Sequence, residues 1–254
     1  LMSIVQMKNI HKSFGKIVAL RGVDFEVGSN EVIGLIGDNG AGKSTLIKIL
    51  SGVYPPTKGE IYIKGKKIDL KSYSVREAHK LGIETVFQEQ ALGTKQTIWR
   101  NLFLGRELTD RLGFIRLDKV KRETDKMMKE LLGFTGGGVL PDSPVKTLSG
   151  GERQGIAIGR AMYFKADLVI LDEPTRALSV KEVNKVLNFI EKLKESGKSC
   201  VYISHTIANV YSVSDRFVIL DRGRVVGRYE RKEISEPDLN EVLIQIHHVP
   251  EPAG

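Results

Sequence analysis

The sequence predicts an α/β fold with a parallel sheet, an antiparallel β region at its N-terminus and a helical insert that interrupts the core. Short apolar runs predict the strands of the parallel sheet, and they lie at 32–36, 168–171, 201–203 and 217–220. Helical patterns at about 151–164 and 180–196 separate the later runs, as expected of βαβ units. Between about 89 and 147 the strand signals fade and helical spacing replaces them, which predicts the insert.

The N-terminal region is predicted to form antiparallel strands. Its residues alternate in polarity at 4–7, 18–20 and 23–27, with frequent turns between these stretches. The apolar run 32–36 is then followed by a glycine-rich turn and by helical spacing from Leu46 to Leu50.

Further elements follow in order along the chain. Two more strands are predicted, at 59–63 and 83–87. Between them, Ser74 and Glu77 have the spacing of a capping box, which begins a short helix. Residues 118–132 form an amphipathic helical pattern, and the turn at 221–224 predicts a hairpin after the last parallel strand.

Composition narrows the functional classes. The chain has 254 residues, of which 41% are hydrophobic, as in ordinary globular proteins. The single cysteine, Cys200, excludes an internal disulfide framework and a thiolate metal cage, and it fits a reducing compartment. No apolar stretch reaches the roughly 18 residues that a membrane-spanning helix needs, and no signal-peptide pattern begins the chain.

The charge balance is basic, with 39 Lys and Arg against 31 Asp and Glu and a net charge of +8. No aromatic residues are interleaved with the basic clusters, as a base-stacking surface would require, so we expect no nucleic-acid partner. A phosphate-rich ligand or an anionic membrane surface accounts for the charge as well.

A phosphate-binding loop is the clearest chemical signal in the sequence. It has the pattern G-x-x-x-x-G-K-[ST] between a buried strand and a helix, and with the residue after it the set is Gly37, Asp38, Asn39, Gly40, Ala41, Gly42, Lys43, Ser44 and Thr45. The glycines let successive backbone N–H groups face phosphates, and the helix N-terminus adds a favourable dipole. Lys43 is placed to bridge the β- and γ-phosphates, and Ser44 to ligate Mg²⁺. Because an accidental glycine turn would not need the flanking strand and helix, the loop predicts ATP or GTP binding.

Two acidic residues follow the apolar run 168–171. A parallel strand delivers its last residues to the C-terminal edge of the sheet, where ligands bind. Asp172 can therefore hold Mg²⁺, and Glu173 can orient and polarise the attacking water. Acidic residues after a strand are more often a turn or a helix cap, but the phosphate loop upstream favours the functional interpretation.

The sequence Leu-Ser-Gly-Gly-Glu-Arg-Gln at 148–154 identifies a family. Ser149 and Glu152 have capping-box spacing, which does not explain the two glycines between them, Gly150 and Gly151. Bare glycines at a helix start make an anion site that a phosphate can approach closely. We call residues 149–152 the signature loop. Together with the phosphate loop, it closely resembles the ATP-binding subunit of an ATP-binding cassette (ABC) transporter, and the resemblance covers about residues 4–235.

The resemblance implies a RecA-like P-loop NTPase core and a head-to-tail dimer that encloses two ATP molecules. Each ATP would lie between the phosphate loop of one copy and the signature loop of the other. Phe14 matches the aromatic residue that stacks on adenine, although its pattern alone also fits a core residue of a strand. Gln88 matches the glutamine that contacts Mg²⁺ and the attacking water, and His205 matches the histidine that contacts the γ-phosphate.

One position departs from the family pattern. The resemblance implies an aspartate where the chain has Ser179, so the charge that usually serves communication between the two sites is missing. Ser179 and Glu182 form another capping-box pattern, so the next helix keeps its N-cap. This segment, together with 87–90 and 101–107, resembles the ATPases of monosaccharide importers.

We therefore expect an ATPase subunit that energises sugar import, with ATP and Mg²⁺ as cofactors, at the cytoplasmic face of the cell membrane. The expected partners are a second cassette in an ATP-dependent homodimer or pair, separate transmembrane permease subunits and, indirectly, an extracytoplasmic sugar-binding protein. The alternatives are an ABC ATPase for another cargo, a soluble ABC ATPase outside transport, and a small-molecule P-loop kinase, which would lack the signature loop.

The expected units are an ATP-binding core at 1–88 and 151–235, a helical subdomain at 89–150 that carries the signature loop, and a C-terminal tail at 236–254. The family resemblance implies that Gln88 and residues 89–105 contact the permease. Trp99, Leu102 and Phe103 are the candidate apolar anchors of that contact. Trp99 is an equally good candidate for the core of the helical subdomain.

Overall fold

Two β-sheets form the framework of the protein, for which a computed structural model describes residues 3–87, 92–130, 138–175 and 178–248. The first sheet is antiparallel, and its strands are β1 (Ser3–Phe14), β2 (Ile17–Gly28), β4 (Lys58–Ile63) and β5 (Lys66–Lys67). The strands of the second sheet are β3 (Val32–Ile36), β6 (Ile83–Val86), β7 (Leu168–Asp172), β8 (Ser199–Ile203), β9 (Arg216–Asp221) and β10 (Arg224–Glu230). Their order is β10-β9-β3-β8-β7-β6, and every neighbouring pair is parallel except β9 and β10. The predicted parallel sheet and terminal hairpin are confirmed.

Helices pack on both faces of the second sheet and also build a helical region of their own. They are α1 (Lys43–Leu50), α2 (Val75–Lys80), α3 (Ile98–Phe103), α4 (Leu117–Glu130), α5 (Gly150–Tyr163), α6 (Val180–Glu195), α7 (Ile207–Val213) and α8 (Glu236–His248). The helices predicted at about 151–164 and 180–196 are confirmed by α5 and α6. None of the helices within the described ranges is both long and apolar enough to cross a membrane.

The central strands of the second sheet are buried on both faces, which explains their unbroken apolar runs. Every residue of β3, β7 and β8 is buried. Ile33 and Leu35 of β3 belong to a cluster with α1 and the antiparallel sheet, whereas Val32 and Ile36 belong to a cluster with α6 and α7. Because β3 lies between β9 and β8, the loop after it emerges near the middle of the C-terminal edge of the sheet.

A third apolar cluster holds the helical region together and corrects one prediction. Trp99, Leu102 and Phe103 of α3 lie inside it with residues of α4 and α5, and they are only 7%, 0% and 1% exposed. The prediction that they anchor a permease is therefore wrong, because neighbouring helices already cover them. The alternative for Trp99, a core position, is confirmed, and its indole N–H donates to Asp142 Oδ1 at 3.1 Å.

Helix α5 connects the helical region to the second sheet. Its Ile156 packs in the helical cluster, whereas Ile158 and Ala161 pack in the cluster beside the sheet. The expected boundary between 150 and 151 thus falls in the first turn of a continuous helix. The division of the chain into units stays a prediction.

The first part of the expected C-terminal tail is helical. Residues 236–248 form α8, and Leu239 of this helix is fully buried in the cluster beside the second sheet. The Ser235 hydroxyl begins the helix by accepting the Asp238 N–H at 3.3 Å. Ser235 and Asp238 have the spacing of a capping pair, a signal that the prediction overlooked. Residues 249–254 lie outside the described part of the chain.

Candidate active site

The phosphate loop joins β3 to α1 at the middle of the sheet edge. The N-cap of α1 is Gly42, which has φ +106° and provides no capping side chain, and the first turn contains no acidic residue. A Cβ on Gly37 would lie 2.0 Å from the backbone oxygen of Leu220, so only glycine fits there. The N-terminus of α1 therefore has the geometry and the polarity to receive an anion.

Lys43 is held inside this loop. Its Nζ donates to the backbone oxygens of Gly37 and Asp38, at 2.6 and 2.8 Å. Burial lowers the pKa of Lys43, and the carboxylates of Glu173 and Asp172 oppose that shift. The Lys43 ammonium group thus interacts electrostatically with Asp172 and Glu173, the two acidic residues that the sequence predicts for this site.

Asp172 ends β7, and Glu173 follows it directly. Asp172 is 4% exposed and hydrogen-bonded to the Ser44 side chain, and its burial raises its pKa. Glu173 is 8% exposed and has φ +54°, a region that is costly for a residue with a side chain. The Glu173 N–H donates to the Ile203 oxygen at 3.0 Å, which holds the backbone in this conformation. Strain of this kind is typical of functional sites.

His205 follows β8 and completes one pocket with these groups. Its Nε2 lies 2.9 Å from Glu173 Oε1. The pocket is lined by Ala19, Asp38, Asn39, Gly40, Gly42, Lys43, Ser44, Thr45, Asp172, Glu173 and His205. Ala41 lies buried within the same loop. Gln88 lies outside the described residues, so its role stays a prediction.

Phe14 lies at the end of β1 and is 46% exposed, so the interpretation as a core residue is wrong. Its ring packs edge-on against Tyr54, with 5.4 Å between ring centroids. Lys12 Nζ lies 5.1 Å from the Phe14 centroid and 4.8 Å from the Tyr54 centroid. The Tyr54 hydroxyl is in turn hydrogen-bonded to Thr45. Phe14 is thus an exposed aromatic ring that Tyr54 connects to the first turn of α1.

The signature loop begins α5. Ser149 is the N-cap, and the predicted capping box is confirmed: its Oγ accepts the Glu152 N–H at 3.2 Å, and Glu152 Oε2 accepts the Ser149 N–H at 2.8 Å. Ser149, Gly151 and Glu152 line a pocket between α5 and α6, and Gly150 is half-buried beside them. Within the described part of one chain, none of them lines the pocket of the phosphate loop.

A carboxylate lies close to Ser179, where the family pattern has an aspartate. It belongs to Glu182, and the second predicted capping box is confirmed, because Glu182 Oε2 accepts the Ser179 N–H at 2.9 Å. The other oxygen, Oε1, accepts the N–H of Gly151 in the signature loop, also at 2.9 Å. No local sequence pattern predicts this second contact, because its partners lie 31 residues apart in the chain.

A protein-family model covers these motifs together. The model of the ABC transporter family matches residues 20–176, which include the phosphate loop, the signature loop, Asp172 and Glu173. The chain belongs to this family. It is an ATP-binding cassette, and its reaction is ATP hydrolysis.

Two curated relatives of this cassette are named as sugar-import proteins. The xylose/arabinose import ATP-binding protein XylG of Sulfolobus acidocaldarius is 41% identical over 242 residues, which are 94% of the chain and 93% of the relative. The ribose import ATP-binding protein RbsA of Caldanaerobacter subterraneus subsp. tengcongensis is 38% identical over 95% of the chain. The chain spans only 47% of that relative's length.

Solved cassettes share the fold along almost the whole chain. A nucleotide-free ATP-binding cassette from an ABC transporter has a TM-score of 0.80 at 26% identity, over 98% of this chain and 100% of that one. A dimeric cassette in a post-hydrolysis state, bound to ADP and phosphate, has a TM-score of 0.75 at 27% identity, over 89% of this chain and 98% of that one. The predicted fold class is confirmed.

The cassette also has a basic groove that the sequence analysis missed. It is lined by Val75, Arg76, His79, Lys80, Leu104, Gly105, Arg106 and Arg160, and none of these lining residues is acidic. Glu84 lies beneath the groove and pairs with Arg106. Burial, Arg106 and Arg160 lower the pKa of His79 to about 4, so His79 is neutral at pH 7. The groove joins α2, the end of α3 and α5, a juxtaposition that no local sequence pattern reveals.

Proposed function

We propose that this cassette is the ATP-hydrolysing subunit of an importer for a pentose or a related monosaccharide. The observation that carries the proposal is the single pocket in which the phosphate loop, Asp172, Glu173 and His205 meet. The cargo class is supported by the identity of 41% to a xylose/arabinose import protein and of 38% to a ribose import protein.

ATP is proposed to bind across two neighbouring surfaces. The triphosphate enters the phosphate loop, where the N-terminus of α1 and the Lys43 ammonium offset its negative charge. The adenine stacks on the exposed ring of Phe14, whose position Tyr54 and Lys12 fix. The hydrogen bond between Tyr54 and Thr45 ties the base site to the phosphate site.

The donor set of the pocket suits Mg²⁺. Ser44 offers a hydroxyl and Asp172 a carboxylate, which are the hard oxygen ligands that this ion prefers. Burial of Asp172 raises its pKa, and a cation beside the carboxylate would offset that cost. Gln88 is the proposed further contact. When bound, Mg²⁺ neutralises charge on the β- and γ-phosphate oxygens.

Hydrolysis is assigned to Glu173. Its carboxylate is buried at the sheet edge beside Lys43, where it can accept a hydrogen bond from a water and align that water with the γ-phosphate. His205 Nε2, at 2.9 Å from Glu173 Oε1, orients this carboxylate and is proposed to contact the γ-phosphate. The chain contributes positioning and charge stabilisation, with no covalent intermediate.

Two cassettes are proposed to pair head to tail, so that ATP lies between the phosphate loop of one and the signature loop of the other. The separation of these two loops into different pockets of one chain supports this arrangement. The dimeric state of a solved cassette that is similar over 89% of this chain supports it further. The second cassette is either an identical copy or a related chain.

The basic groove is the proposed contact with a separate permease at the cytoplasmic face of the membrane. Lys80 pairs with Glu77, whereas Arg76 and Arg160 line the groove with no acidic residue among its lining, so the permease segment that fits is acidic. Leu104, which is 55% exposed, is the proposed apolar contact in place of Trp99.

Reconstitution tests this function. The cassette would be placed in vesicles with the permease and the binding protein encoded beside its gene, and phosphate release would be measured with xylose, arabinose or ribose outside. We expect ATP hydrolysis that at least one pentose stimulates, and a rate about 10²- to 10⁴-fold lower with the Glu173→Gln cassette. Stimulation by an amino acid and by no sugar would overturn the cargo, and ATP binding without hydrolysis would overturn the enzymatic assignment.

A further inference from the structure

Glu182 connects the N-termini of two helices, and we infer that its carboxylate holds the place of the ATP γ-phosphate in the signature loop until a second cassette binds. The inference rests on the proposed head-to-tail pairing. It makes Glu182 a positioning residue of the ATPase cycle, with a role beyond that of a helix cap.

The contacts of Glu182 divide between its two oxygens. Oε2 accepts both the N–H and the hydroxyl of Ser179, each at 2.9 Å, which anchors the side chain to the N-terminus of its own helix α6. Oε1 accepts the N–H of Gly151 at 2.9 Å, across 31 residues of sequence. A capping box needs only the first oxygen, so the second contact requires a separate explanation.

Gly151 is fitted to this carboxylate. A Cβ built on Gly151 would lie 2.2 Å from Glu182 Oε1 and 2.6 Å from its carboxyl carbon, so any side chain here would displace Glu182. Ser149, Gly151, Glu152 and Glu182 line the same pocket between α5 and α6. The carboxylate therefore lies within the surface through which a phosphate would approach the signature loop.

One backbone N–H cannot serve two anions in the same position. The N-terminus of α5 carries partial positive charge, and it favours a carboxylate and a phosphate for the same reason. In the proposed dimer the partner's γ-phosphate reaches the signature loop, so the Gly151 N–H has to exchange Glu182 for phosphate. Glu182 can release this bond and keep Ser179 through Oε2, because the two contacts use different oxygens. Because the hydrogen bond between Gly151 and Glu182 is lost in this exchange, Glu182 opposes dimerisation.

The direction of a mutational effect tests this. Glu182→Gln keeps the length of the side chain and removes its charge. In a Glu173→Gln background, which preserves bound ATP, we expect the ATP concentration for half-maximal dimerisation to fall about threefold or more. Size-exclusion chromatography or analytical ultracentrifugation against ATP concentration measures it. Thermal unfolding of the same variant should show equal or lower stability. This result would distinguish the proposed role from a purely structural one, since the loss of a structural residue would weaken both the fold and the dimer.

Glu77→Gln is the matched control. Glu77 is likewise the first-turn glutamate of a serine-capped helix, but its side chain pairs with Lys80 in α2. It should leave ATP-dependent dimerisation unchanged. If Glu173→Gln dimerises and the added Glu182→Gln leaves the ATP requirement equal or higher, the inference is overturned and the paired cassette stands. If Glu173→Gln alone shows no ATP-dependent dimer, the pairing fails and the inference fails with it.

Discussion

Helices α1 and α5 both begin at glycine-rich loops, yet their N-termini differ in charge and capping. The N-cap of α1 is Gly42, with no capping side chain and no acidic residue in the first turn. The N-terminus of α5 is capped by Ser149 and carries Glu152 in its first turn, and Glu182 reaches it from α6. Among the described residues, no acidic side chain caps the N-terminus of α1, whereas the N-terminus of α5 binds the carboxylates of Glu152 and Glu182.

This difference in charge and capping indicates different roles for the two loops, although the sequence predicts anion binding at both. Glycines at a helix start favour anion binding at both loops. At α1 a single chain provides the uncapped helix N-terminus and the Lys43 ammonium, which we propose to bind the triphosphate. At α5 the chain's own carboxylates oppose a phosphate, so that loop should bind only nucleotide that a second cassette has already fixed. Nucleotide affinity should therefore depend on α1, and dimerisation on α5.

Glu173→Gln should have the largest effect, because it removes the carboxylate that we propose to activate water while it leaves both helix N-termini unchanged. ATP hydrolysis should fall by about 10²- to 10⁴-fold, with ATP affinity retained. Phosphate release and calorimetry measure the two quantities. Glu191→Gln, on the exposed face of α6, is the control and should keep the parent rate. Undiminished turnover would place the base elsewhere.

Lys43→Ala should remove the cation that distinguishes the N-terminus of α1 from that of α5 as a site for ATP. The loss of a charged donor to the phosphates should weaken ATP binding by about 3 kcal/mol, or roughly 100-fold in Kd. Calorimetry with ATP measures this. Lys48→Ala, an exposed lysine of the same helix that does not line the pocket, is the matched control. Equal affinity of the Lys43→Ala and parent proteins would contradict the site.

Phe14→Ala tests whether nucleotide affinity has a second source beside α1. The loss of base stacking should cost about 1–3 kcal/mol of ATP binding, and Phe14→Tyr should be nearly neutral. Ile17→Ala is the control. Ile17 is the cross-strand neighbour of Phe14 and is 71% exposed, so its truncation should leave the ATP affinity unchanged. Reduced stability with full affinity would show that Phe14 only packs against Tyr54.

Local patterns predicted most of the fold and the nucleotide site. The apolar run 32–36 coincides with β3, and the phosphate loop, Asp172 and Glu173 meet because parallel strands share one carboxyl edge. The serines at 149 and 179 cap their helices as predicted, since a capping box depends on residues three apart.

What could not be predicted depends on long-range packing. The sequence allows Trp99 to be either a permease contact or a core residue, because its burial depends on packing against α4 and α5. The local pattern around Trp99 does not predict that packing. Glu182 was assigned to its own helix, because nothing within α6 indicates that Gly151 lies beside it. The groove at Arg76 and Arg160 likewise exists only where α2 meets α5.

Ser149→Ala has the smallest expected effect, and it separates the two possible roles of one hydroxyl. Loss of the bond to the Glu152 N–H should lower the free energy of unfolding by about 1 kcal/mol, measured by urea titration. Ser74→Ala is the control, because Ser74 also accepts a first-turn N–H, that of Glu77 at 3.4 Å, and lines neither pocket. In a Glu173→Gln background only Ser149→Ala should also raise the ATP concentration needed for dimerisation, since only that hydroxyl is proposed to face the partner's γ-phosphate. If both variants lose stability and dimerise like the parent, the signature serine is a helix cap alone, and the contrast between α1 and α5 rests on the glycines and on Glu182.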